Sequence, residues 1–287
     1  MAASPAPPSF LRDFRLHVGE DMRGTGVIHT LAGYRIAIYA APVREGVTNE
    51  DAAAAFALAD GSLLGMVADG MGGMPLGAQA SALLVDSVRK SMSVKDARSL
   101  RDRLIDGIDE ASKRIKALGV GAGSTLAAVE ICEHVLRSCH VGDSMILVVG
   151  KRGRIKMETV SHSPVGYAVE AGLLDRDDAL HHDDRNVVSN MVGFPDMRIE
   201  IGPGIRLAPL DTVVLASDGL FDNLYLEEIA DIVRRGSIAQ AMASLAAACE
   251  ARMHAPAAEA PSKPDDLAFM LLRRDLRAPA AAPGIGL

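Results

Sequence analysis

The residues best suited to chemistry in this 287-residue chain are acidic side chains at the predicted ends of strands. The positions that share this placement are Glu50-Asp51, Asp69-Gly70, Asp143, Asp218-Gly219 and Asp265-Asp266. Singly, an Asp-Gly pair after a strand is ordinary turn chemistry, and Glu50-Asp51 would be a surface pair. Their repetition indicates that strand ends from different parts of a sheet converge on one rim. Carboxylates gathered there would repel one another unless cations neutralised them.

The expected cations are Mg²⁺ or Mn²⁺, because both prefer oxygen ligands such as carboxylates, backbone carbonyls and water. Zinc is not favoured, since no cysteines and histidines cluster at a metal-binding spacing. The pair His181-His182 lies in a polar loop and is expected to be solvated. The cysteines, Cys132, Cys139 and Cys249, form no even disulfide set, so core filling in the reducing cytoplasm explains them better.

The segment DGMGGMPLG, which starts at Asp69, is rich in glycine. Gly70, Gly72 and Gly73 would let the backbone turn sharply beside an ion or a phosphate, and Pro75 suits the first turn of a helix. A glycine loop that opens a helix could also hold a nucleotide. Neither GxGxxG nor GxxxxGK[ST] occurs here, however, so the sequence favours an ion or phosphate site.

Apolar periodicity predicts the elements that must position these residues. The predicted strands are 34–41, 53–59, 63–68, 124–131, 135–141, 145–149, 155–160, 211–217 and 267–272, and the predicted helices are 76–88, 100–118, 165–174, 226–235 and 238–253. Asp60-Gly61 predicts a two-residue hairpin turn. Gly142-Asp143 and Arg152-Gly153 predict that the four strands from 124 to 160 form one antiparallel meander. Segregated strands and helices favour an α+β fold with helices covering antiparallel sheets.

We expect one domain over residues 20–274, a disordered or extended segment over 1–19, and a disordered tail over 275–287. Lys and Arg number 30 against 37 Asp and Glu, a net charge of −7. Without a basic block, such a chain is a poor candidate for binding nucleic acid or an anionic membrane. It has no apolar run of the ~18 residues that a membrane span requires and no secretion signal.

Six segments, in this order, resemble the protein phosphatase 2C family of metal-dependent Ser/Thr phosphatases, particularly its compact bacterial members. They are NEDA (49–52), VADGMGG (67–73), GAGSTL (121–126), HVGDS (140–144), LASDGLFDNL (215–224) and PDDLAFMLL (264–272). The segment at about 161–193 resembles the mobile flap of bacterial relatives. The resemblance implies a central β-sandwich of two antiparallel sheets flanked by pairs of helices, with the flap near a binuclear Mn²⁺/Mg²⁺ centre.

The resemblance also implies roles for individual residues. Asp69 would bridge the two metals, Asp218 and Asp265 would complete one site, and Glu50 and the Gly70 carbonyl would serve the other. Asp51 would orient metal-bound water, and Asp143 with Asp218 would offer a weaker third site. A metal-bound hydroxide would then hydrolyse phosphoserine and phosphothreonine in proteins. In signalling, this activity would reverse the action of a separate Ser/Thr kinase.

The chain departs from the family pattern at two positions. Met71 stands where animal and plant members have a histidine thought to protonate the leaving group, and bacterial members commonly have Met there. The family's phosphate-binding arginine lies four residues before the Glu of the NED motif, where this chain has Gly46. Arg44 lies two residues further upstream. If residues 43–46 are extended, Arg44 points to the same face and can bind the phosphate instead. The alternative is that Arg44 is a solvated residue before a loop.

Three other functions are consistent with parts of the sequence. Without the arginine, the chain could be an inactive member that binds phosphoproteins as a regulator. With the metal site intact, it could hydrolyse small phosphate esters. A purely structural β-sandwich is a third alternative, but it would leave the strand-end carboxylates unexplained.

Overall fold

The computed structural model describes residues 10–71, 76–96, 98–118, 121–254 and 260–277. Gly72, Gly73 and Pro75 of the glycine-rich segment lie outside these ranges, as do residues 1–9 and 278–287 of the two predicted terminal segments. The elements are β1 Leu11–Val18, β2 Val27–Leu31, β3 Tyr34–Ala41, β4 Asp51–Leu58, β5 Leu63–Asp69, α1 Gly77–Met92, α2 Leu100–Lys116, β6 Leu126–Cys132, β7 Val135–Val141, β8 Met145–Val149, β9 Ile155–Glu158, α3 Pro164–Glu170, α4 Arg176–Ala179, β10 Glu200–Ile201, β11 Ile205–Arg206, β12 Thr212–Ala216, α5 Asp218–Phe221, α6 Leu226–Val233, α7 Ile238–His254 and β13 Leu267–Arg274.

The strands form two antiparallel sheets that pack face to face, which confirms the predicted α+β sandwich. The first sheet has the order β1-β4-β5-β6-β7-β10, with β11 also paired to β7. The second has the order β2-β3-β13-β12-β8-β9. Helices α1 and α2 cover the outer face of the first sheet, and α6 and α7 lie on the second. None of the helices in the described ranges is long and apolar enough to cross a bilayer.

Strand β4 shows how the sandwich forms, because it is buried on both faces. The alternate alanines from Ala53 to Ala57 belong to the core between the sheets. The intervening residues, from Ala52 to Leu58, pack beneath α1 and α2. Side chains alternate across a strand, so a run that is apolar at every position is typical of a strand covered on both sides.

The predicted single meander from 124 to 160 is wrong, because the chain changes sheet at Gly142. Strands β6 and β7 pair in the first sheet, whereas β8 pairs with β9 and β12 in the second. Strand β8 is buried from Ile146 to Val149, so it needs neighbours on both sides. The second sheet provides them, while the free side of β7 is taken by β10 and β11. Gly142, at φ 96°, allows the turn between the layers.

Two further predictions differ locally from the structure. The hairpin between β4 and β5 has a three-residue turn, since Gly61 N–H donates to the Leu58 carbonyl (3.1 Å) and Leu58 N–H to the Ser62 carbonyl (2.9 Å). Gly61 takes the left-handed position, at φ 85°, that such a turn requires.

Strand β1 pairs with β4. The first sheet therefore begins at Leu11, before the domain start that we expected at residue 20.

A buried arginine holds the connection between α1 and α2. Arg103 is fully buried, and its guanidinium donates to the Asp96 carbonyl at 2.9 Å. The carbonyls of Ser91, Val94 and Arg98 also accept from it. A planar group with five donors can satisfy several carbonyls at once, which suits a tight connection without regular backbone bonds.

We predict that Arg103→Met lowers the free energy of unfolding by about 3 kcal/mol, because it removes the buried guanidinium that donates to four carbonyls and pairs with the Asp96 carboxylate. Guanidinium-induced unfolding of the metal-free protein measures the change. The control is Arg235→Met, which removes an exposed ion pair with Asp231 and should leave the unfolding midpoint in place. Equal midpoints for wild type and Arg103→Met would show that the guanidinium contributes no stability.

Candidate metal centre

The strand-end carboxylates lie together at one end of the sandwich. Asp51 at the start of β4 and Asp69 at the end of β5 are directly opposite each other in the antiparallel pair. Asp218 follows β12, and Asp265 precedes its partner strand β13. The structure brings every predicted metal ligand to one cleft of ≈ 460 Å³, whose lining includes Glu50, Asp69, Gly70, Asp143, Asp218 and Asp265.

Asp51 lies behind the cleft and is held by its neighbours. It is 1% exposed, and the buried Ser217 hydroxyl donates to its Oδ2 at 2.7 Å. Ser217 Oγ also accepts from Ala268 N–H at 3.1 Å, at the start of β13. One hydroxyl therefore joins a carboxylate of the first sheet to two strands of the second. Ser217 was not predicted as a site residue, although it stands directly before Asp218 in LASDGLFDNL (215–224).

Glu50 is positioned by Asp266. The two carboxylate oxygens of Asp266 accept from the backbone N–H groups of Val43, at 2.7 Å, and Glu50, at 2.6 Å. Asp266 thus fixes the NED segment against the start of β13. Both Asp265 and Asp266 line the cleft, but only Asp266 uses its carboxylate to hold the backbone of Val43 and Glu50.

Glycines at two of the Asp-Gly positions permit close packing. A Cβ atom on Gly70 would lie 2.1 Å from the Gly77 carbonyl oxygen at the start of α1. A Cβ atom on Gly219 would lie 2.0 Å from the Asp266 carbonyl oxygen. Any side chain at these positions would push apart the segments that carry the acidic residues, so a turn preference alone does not account for these glycines.

Hydroxyl groups join the remaining acidic segments. Thr125 Oγ1 accepts from Asp69 N–H at 3.1 Å and lies 2.6 Å from Ser144 Oγ, next to Asp143. Both hydroxyl residues are buried and belong to the quoted segments GAGSTL and HVGDS. Their roles were not assigned from the sequence, because a lone hydroxyl gives no local signal of what it contacts.

The donor set fits divalent cations that prefer oxygen. Glu50 Oε2, Asp51 Oδ1 and Asp143 Oδ1 are buried and have no hydrogen-bond partner among the residues the structure describes. Buried carboxylate oxygens without a donor are costly unless a cation binds them. Because no cysteine or histidine lines the cleft in the described ranges, the chemistry matches Mg²⁺ or Mn²⁺ better than Zn²⁺.

Burial and mutual repulsion keep these carboxyl groups protonated more strongly than usual. Burial, followed by the charge of Asp51 and Asp218, raises the pKa of Asp69 well above its ordinary range. Burial and the neighbouring Asp218 raise the pKa of Asp143 to about 8. Burial, with Asp266 and Asp265, raises the pKa of Glu50 to about 7. Each shift indicates a site that lacks sufficient positive charge.

Asp222 and Lys263 are two charged residues beside the carboxylates that were not predicted as site residues. Asp222 lies four residues after Asp218, one helical turn away, and burial together with Asp218 raises its pKa to about 7. The Lys263 ammonium contacts Asp218 and lies 3.1 Å from both Asp222 Oδ2 and Asp265 Oδ2. Burial would lower the pKa of Lys263, but these carboxylates raise it, so the lysine stays charged.

Arg44 does not lie in the extended segment that we expected. Residues 43–46 form a turn, in which Val47 N–H donates to the Arg44 carbonyl at 3.3 Å and Gly46 takes φ 79°. In such a turn, side chains two apart do not share a face, so Arg44 does not take the place expected at Gly46. The Arg44 side chain is exposed, and its guanidinium makes no hydrogen bond or ion pair with any residue in the described ranges. Its neighbours Val43 and Val47 line the cleft.

The segment 161–193 lies beside the carboxylates, as expected for a flap. It contains α3, α4 and a short 3₁₀-helix, Asp183–Asn186, and its residues Asn186, Val188 and Met191 line the cleft. A second cavity of ≈ 140 Å³ beneath α3 and α4 shares Asp143 and Asp218 with the cleft. The flap therefore forms one wall of the site.

His140, His162 and Glu200 form another group whose potential ligand atoms lie within 4.8 Å of one another. The Gly142 N–H (3.1 Å) and the Asn190 amide (2.8 Å) both donate to His162 Nδ1. The ring proton must therefore be on Nε2, 3.2 Å from Glu200. A metal ligand would need that nitrogen deprotonated. We conclude that this cluster fastens the ends of the flap rather than binding an ion.

Known proteins resemble this chain in sequence and fold. The family model described as protein phosphatase 2C matches residues 40–261. The serine/threonine phosphatase Stp of Listeria welshimeri is 27% identical over 197 residues, which cover 65% of this chain and 77% of that protein. The S. agalactiae serine/threonine phosphatase superposes with TM-score 0.72 and 26% identity, over 84% of this chain and 99% of that one. The PstP catalytic domain, solved with two manganese ions, shares the fold at TM-score 0.67 and 20% identity, over 84% and 97%.

We predict that Asp143→Asn stabilises the metal-free protein increasingly as pH rises. The folded pKa of Asp143, about 8, lies above the unfolded value of about 4. The folded protein therefore binds the extra proton, and wild type loses stability as pH rises between these values. Asparagine has no proton to lose, so the variant should exceed wild type by more than about 1 kcal/mol at pH 9 but not at pH 5.

Urea unfolding in EDTA at the two pH values measures this difference. Asp109→Asn, on the exposed face of α2, is the control. The stability difference between this variant and wild type should be the same at both pH values. A stability difference that is the same at pH 5 and pH 9 would mean that Asp143 is not titrating in a site short of positive charge.

Proposed function

This chain belongs to the protein phosphatase 2C family and is a protein-serine/threonine phosphatase, and we propose that its carboxylate cleft works with two Mn²⁺ or Mg²⁺ ions. The observation that carries the proposal is the set of buried carboxylate oxygens without hydrogen-bond donors at the cleft. Asp69, Asp218 and Asp265 would hold one ion. Asp69, Glu50 and the Gly70 carbonyl would hold the other.

The reaction is hydrolysis of a phosphoserine or phosphothreonine ester. When bound, the cations would activate water as the nucleophile and neutralise charge on the transferring phosphoryl group. Ser217 fixes one oxygen of Asp51, so the unpartnered Oδ1 can accept a hydrogen bond from the attacking water. Met71 lines the cleft but has no proton to give, so water would protonate the leaving oxygen.

The proposed substrate is a phosphorylated protein, and its phosphorylation by a separate Ser/Thr kinase would be reversed here. The net charge of −7 disfavours nucleic acid and anionic membranes as partners. We also propose a cytoplasmic location, which the three free cysteines support, since two of them are buried as core side chains.

We predict that EDTA abolishes hydrolysis of phosphopeptides and that Mn²⁺ or Mg²⁺ restores it, because the repelling carboxylates need divalent cations. Asp69→Asn should lose nearly all turnover at every Mn²⁺ concentration, since it removes a charge shared by both ions. Phosphate release from phosphoserine and phosphothreonine peptides measures this activity.

Asp109→Asn again is the control and should retain wild-type turnover. Hydrolysis that survives exhaustive EDTA treatment would contradict the two-metal centre. The alternatives give different results. A regulator that only binds phosphoproteins would bind phosphopeptide and Mn²⁺ without turnover, whereas a small-ester hydrolase would release phosphate faster from small esters of similar charge than from phosphopeptides.

We further propose that Arg44 reaches the substrate phosphate from the turn that borders the cleft. Its guanidinium has no partner among the described residues, and the adjacent Val43 lines the cleft. A charge-assisted contact to phosphate is worth roughly 1.5 to 3 kcal/mol. Arg44→Ala should therefore lower kcat/KM by about 10- to 150-fold without changing Mn²⁺ affinity.

Arg23→Ala is the matched control, because that arginine pairs with the exposed Asp21 rather than facing the cleft. It should leave kcat/KM unchanged. A loss of less than about threefold for Arg44→Ala would show that another group holds the phosphate. Moving the arginine to Gly46 is not a clean test, since a side chain there would be strained at φ 79°.

A further inference from the structure

Lys263 is the one cationic side chain among the described residues that line the carboxylate cleft. Its side chain is 14% exposed, and its ammonium contacts Asp218, Asp222 and Asp265. Two of these, Asp218 and Asp265, are proposed ligands of the same divalent ion. The ammonium and that ion would therefore share the same two carboxylates.

The lysine is held in this place by its backbone. Lys263 N–H donates to Asn223 Oδ1, and Asn223 Nδ2 donates to the Lys263 carbonyl, both at 2.8 Å. Asn223 is fully buried and also donates to the Gly219 carbonyl at 2.9 Å, beside Asp218. The segment that carries the ammonium is thus fixed to the helical turn that carries Asp218 and Asp222.

We propose that Lys263 is a tethered cation that competes with divalent metal for the carboxylates of Asp218 and Asp265. In the metal-free protein, the ammonium neutralises part of the acidic cluster and stabilises the fold. Metal entry requires the ammonium to leave the carboxylates of Asp218 and Asp265. Lys263 therefore sets the metal concentration at which the centre fills. This inference rests on the proposed two-metal centre, but it concerns a residue outside the ligand set.

Competition of this kind has two opposite consequences. Without the ammonium, Mn²⁺ no longer has to displace a charged hydrogen-bonding partner, so binding becomes tighter. The same substitution leaves the carboxylates of the metal-free protein without a neutralising charge, so that form becomes less stable. A lysine with only a packing role would lower stability without tightening metal binding.

The experiment compares wild type with Lys263→Met, which keeps the length of the side chain but removes its charge. Titration calorimetry of chelator-stripped protein with MnCl₂ should show apparent Mn²⁺ binding about tenfold tighter, or more, in Lys263→Met. The metal-free variant should melt about 2 °C or more below wild type. Lys263→Arg, which retains a cation, should bind Mn²⁺ within about threefold of wild type.

Lys156→Met is the matched control, since it removes a lysine that pairs with Asp211 at 2.6 Å outside the cleft. It should leave Mn²⁺ affinity unchanged. If Lys263→Met does not fold without metal, Lys263→Gln gives the same comparison. Equal Mn²⁺ affinity in wild type and the uncharged variant would overturn the competition while leaving the two-metal centre intact. A wild-type protein that binds no Mn²⁺ would overturn both.

Discussion

Repulsion among buried carboxylates is the constraint on which the rest of this structure depends. Asp51 and Asp69 face each other across β4 and β5, and burial raises the pKa of both well above the ordinary range. Groups like these destabilise the fold that gathers them. The two sheets compensate because strands such as β4 and β13 are buried on both faces, from Asp51 to Leu58 and from Leu267 to Leu272. The unfavourable site therefore depends on an apolar scaffold that is continuous beneath it.

Hydrogen bonds between the sheets fix the site residues relative to that scaffold. Ser217 connects Asp51 of the first sheet with β13 of the second, and Asp266 connects the start of β13 with the backbone of Glu50. Each of these groups is polar and buried or half-buried, so each needs the partner that it has. A small shift of one sheet against the other would break these bonds, which gives the carboxylates a fixed separation before any cation binds.

The sequence predicted the features that a local pattern encodes. Strands with two buried faces appear as continuous apolar runs, and acidic residues at their ends marked the cleft correctly. The crossing at Gly142 could not be predicted, because the same Gly-Asp pair suits a hairpin and a change of sheet. The turn at Arg44 was missed, since the prediction assumed that residues 43–46 are extended. No local pattern predicted the role of Lys263. Two of its partners, Asp218 and Asp222, are 41 residues or more away in sequence, and Asp265 lies two residues away in a loop.

The placement of Lys263 has a consequence for how the centre exchanges cations. The segment from Lys263 to Asp266 supplies both the ammonium and the carboxylate of Asp265, so the competing charge has an effective concentration set by the chain itself, not by the solvent. A tethered monovalent cation holds the cluster together when metal is scarce. A divalent ion carries more charge and binds several oxygens at once, so it prevails as its concentration rises. On this proposal, the net charge of the cleft stays closer to balance in both states than it would with carboxylates alone.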